Sequence, residues 1–348
     1  MSRHANRTVQ IRMGEAPRRP VFLHTGWRTA GTWLWSAFRA RPDVLGLYEP
    51  LNQSLATLTL RTLPMMRPAV SDSRHPESQR PYFEEYKPLF SDRKPGVRGY
   101  RPDFAYDSFF IAPDEQFPEL RNYIESLLDL ARADGKVPVL KFCRSLGRVE
   151  WFRRNFPDAA HIFVMRDPRS QWMSAWRLSR EDDNPHHLLA PIRILALHHE
   201  HPLVALVLEA LRIRAEDFVL PDKHAAICKA VHRTPAQLLY RGFLAFWVLS
   251  SFLALPECDM TIETERLSAG DFRATTQEVI DSLTGISIDL GDAYSIGNTA
   301  GFNDFFGAHQ ARVDALQALA RLEELKPNRG NAGRILGDKL TEQIRIAS

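Results

Sequence analysis

Residues 20–39 read PVFLHTGWRTAGTWLWSAFR, and this stretch decides the fold. The apolar run Val21–His24 has the length and composition of a short buried strand. Gly26 interrupts the run, and residues 30–39 have the length and residue types of a helix. A strand, a turn and a helix in immediate succession are typical of the first unit of an α/β sheet.

The same alternation continues along the chain. Helical segments, including one over residues 51–63, are predicted between further short strands. The later predicted strands cover residues 44–48, 136–142, 160–165 and 258–263. Strands separated by helices favour a parallel sheet with right-handed crossover connections. We therefore expect an α/β fold with one parallel β-sheet flanked by helices.

Local composition divides the 348 residues into four parts. Residues 1–19 are polar and rich in arginine, which predicts a flexible tail. Residues 20–300 are expected to form a single domain, and residues 301–348 a C-terminal helical extension. Within the domain, residues 68–118 are rich in proline and aromatic residues, which disfavours helices and central strands. We expect this insertion to help shape the cleft in which the domain binds its substrate.

Composition also excludes several classes of protein. Hydrophobic residues make up 44% of the chain and charged residues 25%, as in ordinary soluble globular proteins and unlike disordered chains or collagen-like fibres. Three cysteines are too few for a disulfide framework and fit a reducing compartment. The net charge of +3 is too small to indicate a nucleic-acid partner.

The apolar segments predict neither a secretory signal nor a membrane span. The N-terminal residues carry arginines without an apolar core segment. The longest apolar run, residues 242–255, has 14 residues, which is shorter than the ~20 needed to cross a bilayer. We expect a buried helix at this run, no transmembrane segment, and a cytoplasmic protein.

The turn after the first predicted strand, residues 26–33, has the composition of an anion-binding loop. Its two glycines let the backbone curl so that successive N–H groups face an anion. The following helix adds the positive end of its dipole. Thr29 and Thr32 supply hydroxyl donors, and Arg28 supplies a planar guanidinium that suits a tetrahedral oxyanion.

The spacing of Gly26 and Gly31 matches that of the ATPase P-loop, GxxxxGK followed by Ser or Thr. Thr32 and Trp33 occupy the next two positions, so the lysine is missing and the hydroxyl that would hold Mg²⁺ is out of place. Because γ-phosphoryl transfer depends on both groups, we expect an anion other than ATP·Mg²⁺ and no metal. A strand-to-helix turn without a ligand is the alternative interpretation.

A second strand-to-helix junction carries the sequence MRDPRSQWMS, residues 165–174. Asp167 followed by Pro168 predicts a helix start, which places Arg166 at the end of the preceding strand. Ser174 lies two turns along that helix. An arginine and a serine so placed can bind a second phosphate beside the first loop. The alternative is that Arg166 pairs with a carboxylate and Ser174 packs in the interior.

Together these motifs resemble those of the sulfotransferases that use 3′-phosphoadenosine 5′-phosphosulfate (PAPS). In that family a loop similar to PRSGSTWL binds the 5′-phosphosulfate. After Gly26, the matching residues here are Trp27, Arg28, Thr29, Ala30, Gly31, Thr32, Trp33 and Leu34. The family's Arg-Asp-Pro motif, with a serine eight residues after the arginine, binds the 3′-phosphate, and Arg166 and Ser174 have this spacing.

The resemblance implies a P-loop NTPase-like sulfotransferase fold, PAPS as cosubstrate and 3′-phosphoadenosine 5′-phosphate (PAP) as product, without a metal. Weaker similarity over residues 141–156 and 260–267 extends it to roughly residues 20–285. Ala30 replaces a usual glycine and Trp27 a usual proline. The C-terminal Arg-Lys-Gly element of cytosolic members has only a loose counterpart, at residues 326–330.

The resemblance also implies catalytic roles. Arg28 would stabilise the bridging and sulfonate oxygens, and Lys141 would assist the leaving group, unless Lys141 is a strand-end lysine that reaches solvent. Cytosolic members use a histidine as base where this chain has Cys143, whereas carbohydrate and protein-tyrosine members use a glutamate. Glu49, followed by Pro50, is the matching glutamate. Its alternative roles are an exposed strand-end residue and an ion-pair partner of Arg28.

We therefore expect a sulfotransferase that moves the sulfonate of PAPS to an acceptor hydroxyl by in-line displacement. A saccharide is the first choice of acceptor, because several Golgi-type carbohydrate sulfotransferases carry a similar Glu-Pro. A peptide tyrosine is the second and a small-molecule alcohol or phenol the third. From other classes, a P-loop nucleotide kinase or NTPase and a non-catalytic nucleotide-binding protein are the alternatives.

Overall fold

The computed structural model describes residues 18–66, 80–91, 94–218, 224–291, 293, 302 and 306–345. Its centre is a five-stranded parallel sheet with the order β2–β3–β1–β4–β5. The strands are β1 (Val21–Thr25), β2 (Val44–Tyr48), β3 (Val137–Phe142), β4 (Ala160–Met165) and β5 (Met260–Glu263). The expected α/β class with one parallel sheet and flanking helices is confirmed. Most of the predicted N-terminal tail, residues 1–17, lies outside the described residues.

Eleven helices are described around the sheet. They are α1 (Gly31–Arg39), α2 (Pro118–Ala133), α3 (Val149–Asn155), α4 (Pro168–Glu181), α5 (His186–Leu197), α6 (Pro202–Ala210), α7 (His224–Arg233), α8 (Ala236–Ala254), α9 (Gly270–Thr284), α10 (Ala308–Leu325) and α11 (Ala332–Arg345). Every residue of strands β1 to β4 is buried, as expected for a parallel sheet covered on both faces.

The strand order places a crevice at one edge of the sheet. β1 is central, with β3 on one side and β4 on the other. After β1 the chain passes through α1 to β2, the outer strand on one side of the sheet. After β4 it continues to β5, the outer strand on the other side. Ligands of open parallel sheets bind where connections from neighbouring strands diverge in this way. The loops that follow β1 and β4 flank this position.

Helix α8 is the centre of the helical side of the molecule. It packs against α4, α5, α6, α10 and α11. The segment of residues 236–257 is long and apolar enough to cross a membrane, but 83% of its most apolar 18-residue stretch is buried inside the protein. In the described part of the chain no clear transmembrane segment is found. The buried helix expected at 242–255 is present and begins six residues earlier, at Ala236.

The predicted helix over residues 51–63 is wrong. The chain forms only short 3₁₀ turns, at Gln53–Ala56 and Leu63–Met65. Side chains replace the backbone partners that a helix would use: Asn52 Oδ1 accepts from the Ser54 N–H, and Thr62 Oγ1 accepts from the Thr59 N–H. Such local bonds compete with helix formation.

The insertion packs against the carboxyl edge of the sheet through its described parts, residues 80–91 and 94–118. In the first part, Glu85 forms a buried two-point ion pair with Arg39 of α1, at 2.7 and 2.9 Å. The ring of Tyr82 stacks on Tyr48 at the end of β2, with ring centroids 4.4 Å apart. Residues 68–79, 92 and 93 of the predicted insertion lie outside the described residues.

Two histidines are buried side by side in the sheet. His24 of β1 and His161 of β4 stack with ring centroids 5.3 Å apart, and His24 Nε2 lies 3.0 Å from His161 Nδ1. His161 Nε2 is 3.1 Å from Phe156 O, which only accepts, so Nε2 carries the proton. Burial favours the neutral form of both rings. His161 Nδ1 therefore accepts from His24, and His24 Nδ1 accepts from the Ser145 hydroxyl at 2.8 Å.

We expect this pair to destabilise the protein in mild acid. Burial lowers the pKa of His161 to about 4. Burial, and then the charge of His161, lower the pKa of His24 well below its usual value. Below about pH 6.5 each histidine takes up a proton in the unfolded chain but not in the folded one. Stability should therefore fall by ~1.4 kcal/mol per pH unit for each histidine as the pH drops from about 6.5 towards about 4.

Urea unfolding at several values between pH 7 and 5 measures this slope. His161→Gln should flatten it, and His199→Gln, at an exposed position, is the control that should not. A slope that His161→Gln leaves unchanged would assign the acid sensitivity to other groups.

Candidate functional site

The loop between β1 and α1 has the backbone conformation of an anion-binding nest. Arg28 (φ 66°) and Ala30 (φ 61°) are left-handed, whereas Thr29 between them is not. Alternation of this kind turns successive backbone N–H groups towards one concave side. Ala30 therefore adopts the conformation that a glycine would adopt with less strain, at a cost of about 1–2 kcal/mol.

The two glycines serve close packing and not the curl of the loop. A Cβ on Gly31 would lie 2.6 Å from Thr25 Cγ2, which no real side chain tolerates. A Cβ on Gly26 would lie 3.0 Å from Gln171 Nε2. The prediction that Gly26 and Gly31 curl the backbone is wrong. The left-handed residues that curl it are Arg28 and Ala30. The glycines let α1 and α4 approach the loop.

The structure brings the two predicted anion motifs into direct contact. Arg28 Nε donates to Ser174 Oγ at 3.0 Å, and Arg166 Nη1 donates to Arg28 O at 2.9 Å. Asp167 caps α4 by accepting from the Ser170 N–H at 2.8 Å, as its position before Pro168 predicts. Pairs of residues separated by 138 and 146 positions in the sequence thus meet at the crevice.

Thr29 and Thr32 lie in the loop with their hydroxyl groups engaged. Thr29 Oγ1 donates to Gly26 O at 3.0 Å, and Thr32 Oγ1 lies 3.4 Å from the Tyr48 hydroxyl. Thr32 belongs to the first turn of α1, whose N–H groups face the loop. The threonines therefore brace the loop in this structure.

One residue of the candidate site was not predicted from the sequence. Gln171, on α4 between Arg166 and Ser174, donates from Nε2 to Trp27 O at 2.8 Å. It lies one turn before Ser174 on the same helix face, which is the signal that would have found it. Trp27 itself packs against Phe246 of α8, with ring centroids 5.8 Å apart.

Glu49 ends β2 in a fully buried position, 3% exposed, with a left-handed backbone (φ 44°). Lys141 Nζ donates to Oε1, and Arg144 Nη1 and the Cys143 N–H donate to Oε2 at 3.2 and 3.1 Å. Glu49 is therefore neither exposed nor paired with Arg28. Burial alone would raise the pKa of Glu49, but the charges of Lys141 and Arg144 lower it, so the group is a carboxylate.

Lys141 is buried at the end of β3 and does not reach solvent. Its ammonium contacts Glu49, lies 3.1 Å from Cys143 Sγ, and sits 4.8 Å from the ring centroid of Tyr48. Burial opposes the charge, but Cys143 and Glu49 raise the pKa of Lys141 above its usual value. Lys141 is therefore a cation held beside the predicted base.

Cys143 connects this ion pair to the loop after β1. Its Sγ lies 3.2 Å from Thr25 Oγ1 and 3.6 Å from Gly26 O. Burial, and then the charge of Glu49, raise the pKa of the thiol to about 11, so Cys143 is neutral. Cys143 therefore contacts both Lys141 and the start of the loop.

Positive charge exceeds negative charge among the buried groups at this edge. Lys141, Arg144 and Arg148 are all buried, and Glu49 is the buried counter-ion of Lys141 and Arg144. The five hydrogen bonds of Arg148 go to the backbone and hydroxyl oxygens of Arg144, Phe104 and Ser108. Because buried charge is costly without an opposite charge, this edge favours the binding of an anion.

Arg144 joins buried Glu49 to residues that reach the surface. Its guanidinium carbon lies 5.6 Å from the ring centroid of Trp27 and 5.0 Å from that of Tyr106. Arg144 Nη2 donates to Gln53 Oε1 at 2.7 Å and to the Tyr106 hydroxyl at 3.2 Å. Gln53 is exposed and Tyr106 is half-buried. Tyr106 comes from the insertion, which thus contributes to the surroundings of Glu49.

The loose C-terminal candidate for the 3′-phosphate site is engaged elsewhere. Arg329, within residues 326–330, pairs with Glu150 at 2.6 Å and Glu257 at 2.7 Å. Another C-terminal cation, Lys339 of α11, pairs with Glu265 at 2.9 Å, and Glu265 accepts from the Asp167 N–H at 3.3 Å. Lys339 is therefore linked through Glu265 to Asp167 at the start of α4, whereas the ion pairs of Arg329 are with Glu150 and Glu257.

Comparison of the chain with protein-family models, curated proteins and solved structures finds no match. The resemblance to sulfotransferases therefore rests on the motifs of this sequence.

Proposed function

We propose that this protein is a PAPS-dependent sulfotransferase with a P-loop-like sulfotransferase fold. The observation that carries the proposal is the contact between its two anion motifs, through Arg28 and Ser174, beside an excess of buried positive charge. PAPS carries two anionic groups, a 5′-phosphosulfate and a 3′-phosphate, and so calls for two adjoining anion sites. The position at the carboxyl edge of a parallel sheet is also where such ligands bind.

In the proposed reaction an acceptor oxygen attacks the sulfur of PAPS in line with the bond to the 5′-phosphate. The new oxygen–sulfur bond forms as the sulfur–phosphate oxygen bond breaks, the hydroxyl proton passes to Glu49, and PAP leaves. Arg28 and the N–H groups of the loop stabilise charge on the sulfonate oxygens. Lys141 stabilises the leaving phosphate, and Arg166 and Ser174 bind the 3′-phosphate. No step requires a metal.

The ion pair of Glu49 sets a condition on this chemistry. Lys141 occupies Oε1 and lies, through Cys143, next to the loop that would hold the phosphosulfate. An anion in the loop attracts the ammonium group, and a shift of Lys141 towards it leaves Oε1 to accept the hydroxyl proton. Binding of PAPS, the sulfonate donor, thus frees Glu49 to act as the base.

A saccharide hydroxyl is the first acceptor class under this proposal and a peptide tyrosine the second. Tyr106 and Gln53 are the nearest surface-reaching contacts of Arg144, which holds Glu49. We expect Tyr106→Leu to raise the KM for the acceptor about fivefold, because one ring contact is worth ~1 kcal/mol. PAP affinity should not change.

Initial rates at varied acceptor concentration measure this effect, with PAP titration as the check on the nucleotide site. Phe117→Leu, in the same insertion but packed away from Arg144, is the matched control. An unchanged acceptor KM in Tyr106→Leu would exclude the ring from the cleft.

The proposal as a whole is tested by calorimetric titration with PAP, ADP and ATP·Mg²⁺. PAP binding much tighter than ADP binding would support recognition of the 3′-phosphate, and an acceptor screen with labelled PAPS would follow. Preference for ATP·Mg²⁺, with indifference to the 3′-phosphate, would overturn the proposal in favour of a nucleotide kinase or NTPase.

A specific observation favours one second candidate, a nucleotide-binding protein that transfers nothing. Both oxygens of Glu49 already accept hydrogen bonds, from three donors. If Glu49 serves only to balance charge, PAP will bind and no acceptor will be sulfated. The acceptor screen separates the two candidates.

A further inference from the structure

Two consecutive carbonyl groups of the loop after β1 point at side-chain donors from the β4–α4 junction and from α4. Trp27 O accepts from Gln171 Nε2 at 2.8 Å, and Arg28 O accepts from Arg166 Nη1 at 2.9 Å. In a planar trans peptide the C=O and the N–H of the same unit point in opposite directions. The N–H groups of Arg28 and Thr29 therefore point away from Gln171 and Arg166. These two side chains thus favour one side of the loop for its N–H donors.

This orientation requires backbone conformations that are unfavourable without support. Arg28 and Ala30 are left-handed although both carry side chains. Such conformations persist where surrounding contacts over-determine them. The bonds from Gln171 and Arg166 to the carbonyls on either side of Arg28 supply that support.

Gln171 fits this role in detail. It is 6% exposed, and it reaches Trp27 O across Gly26, where a Cβ would lie 3.0 Å from its Nε2. Its other amide atom, Oε1, has no hydrogen-bond partner in the described part of the chain. Gln171 also lines a small cavity with Ser250 and Ser251 of α8. An apolar side chain would fill the position without a buried unpaired oxygen, so packing alone does not explain an amide here.

We propose that Gln171 is a positioning residue that holds the loop in its anion-binding conformation through Trp27 O. The inference rests on the proposed function in that the loop binds an anion, but it does not depend on which anion. It assigns to α4 a second role, beyond the phosphate contact expected of its Ser174.

Titration of the full-length protein with inorganic pyrophosphate and with PAP tests this role. Gln171→Met preserves the volume and removes the donor. We expect both ligands to bind roughly tenfold more weakly, as for the loss of one hydrogen bond, while the melting temperature stays within a few degrees. In transfer assays the KM for PAPS should rise more than kcat falls. Gln171→His, which restores an N–H at similar reach, should recover part of the affinity.

Gln277→Met is the matched control. Gln277 Nε2 donates to a backbone carbonyl, Ile288 O, at 2.9 Å, but it lies on α9 away from the loop. This variant loses the same kind of bond and should bind both ligands normally.

The outcomes separate this inference from the proposed function. Equal pyrophosphate affinity in the wild type and Gln171→Met would overturn the positioning role, whatever PAP does. Binding of pyrophosphate without preference for PAP would overturn the proposed function, while the comparison of variants still decides the role of Gln171. Binding of neither ligand by the wild type would overturn both.

Discussion

Arg28→Ala is expected to lower the rate of sulfonate transfer by at least about 100-fold. Removing a single donor to the developing charge of a transition state costs ~10²–10³ in rate. Arg28 is also the residue that joins the two anion motifs, through its 3.0 Å bond to Ser174. Alanine accepts a left-handed conformation about as poorly as arginine does, so the substitution adds no new backbone strain. Initial rates with labelled PAPS measure the loss.

Two comparison variants sharpen this test. Arg154→Ala removes an exposed guanidinium from α3 and should leave transfer unchanged. Arg28→Lys keeps the charge but loses the planar pair of donors, so its rate should lie between those of wild type and Arg28→Ala. Near-normal turnover in Arg28→Ala would refute the proposed mechanism.

Glu49→Gln is expected to affect both catalysis and stability. Loss of a general base lowers rates by ~10²–10⁴. The same change removes the counter-ion of Lys141 and Arg144, both buried, and breaking a buried pair costs ~3–5 kcal/mol. PAP should still bind the folded variant, and more tightly, because a negative charge has left the site. Transfer assays, urea unfolding and PAP titration report the three effects separately.

The stability effect of Glu49→Gln carries a pH signature. The pKa of Glu49 is lowered in the folded protein, so its contribution is complete above the usual carboxyl pKa near 4.5 and is lost as the pH falls below it. The difference in stability between wild type and Glu49→Gln should therefore shrink in acid. Glu119→Gln, in an exposed ion pair with Arg101, is the control and should change stability little. Full transfer activity in Glu49→Gln would place the base elsewhere.

The sheet could be predicted from sequence because its signals are local. A short apolar run followed by a helix start occurs at β1 and again at β4. Gly26 separates the two in the first case and Asp167 with Pro168 marks the helix start in the second, and each signal needs only neighbouring residues to be recognised. The helix expected at 51–63 failed because threonine and asparagine side chains bond their own backbone there. Apolar spacing alone does not register that competition.

The candidate site was predictable only in part, because much of it depends on contacts between distant segments. The motif residues Arg28, Arg166 and Ser174 were singled out by spacing, and the fold brings them together. The surroundings of Glu49 follow from long-range pairing, since Arg144 and Tyr106 lie 95 and 57 positions beyond it in the chain. No local pattern marks such partners. Gln171 was missed because its one signal is its place on the helix face of Ser174, one turn earlier, and not a motif of its own.

The left-handed backbone at the site bears on how this protein would respond to selection for heat resistance. Of the five non-glycine residues with positive φ in the described part of the chain, Arg28, Ala30 and Glu49 belong to the site. Each holds conformational strain that a substitution can relieve, and natural proteins commonly offer stabilising changes where function requires strain. Thermostable variants chosen without an activity screen would therefore tend to accumulate replacements at these positions. Under the proposed function, substitutions at these positions that raise thermal stability are expected to lower transfer activity.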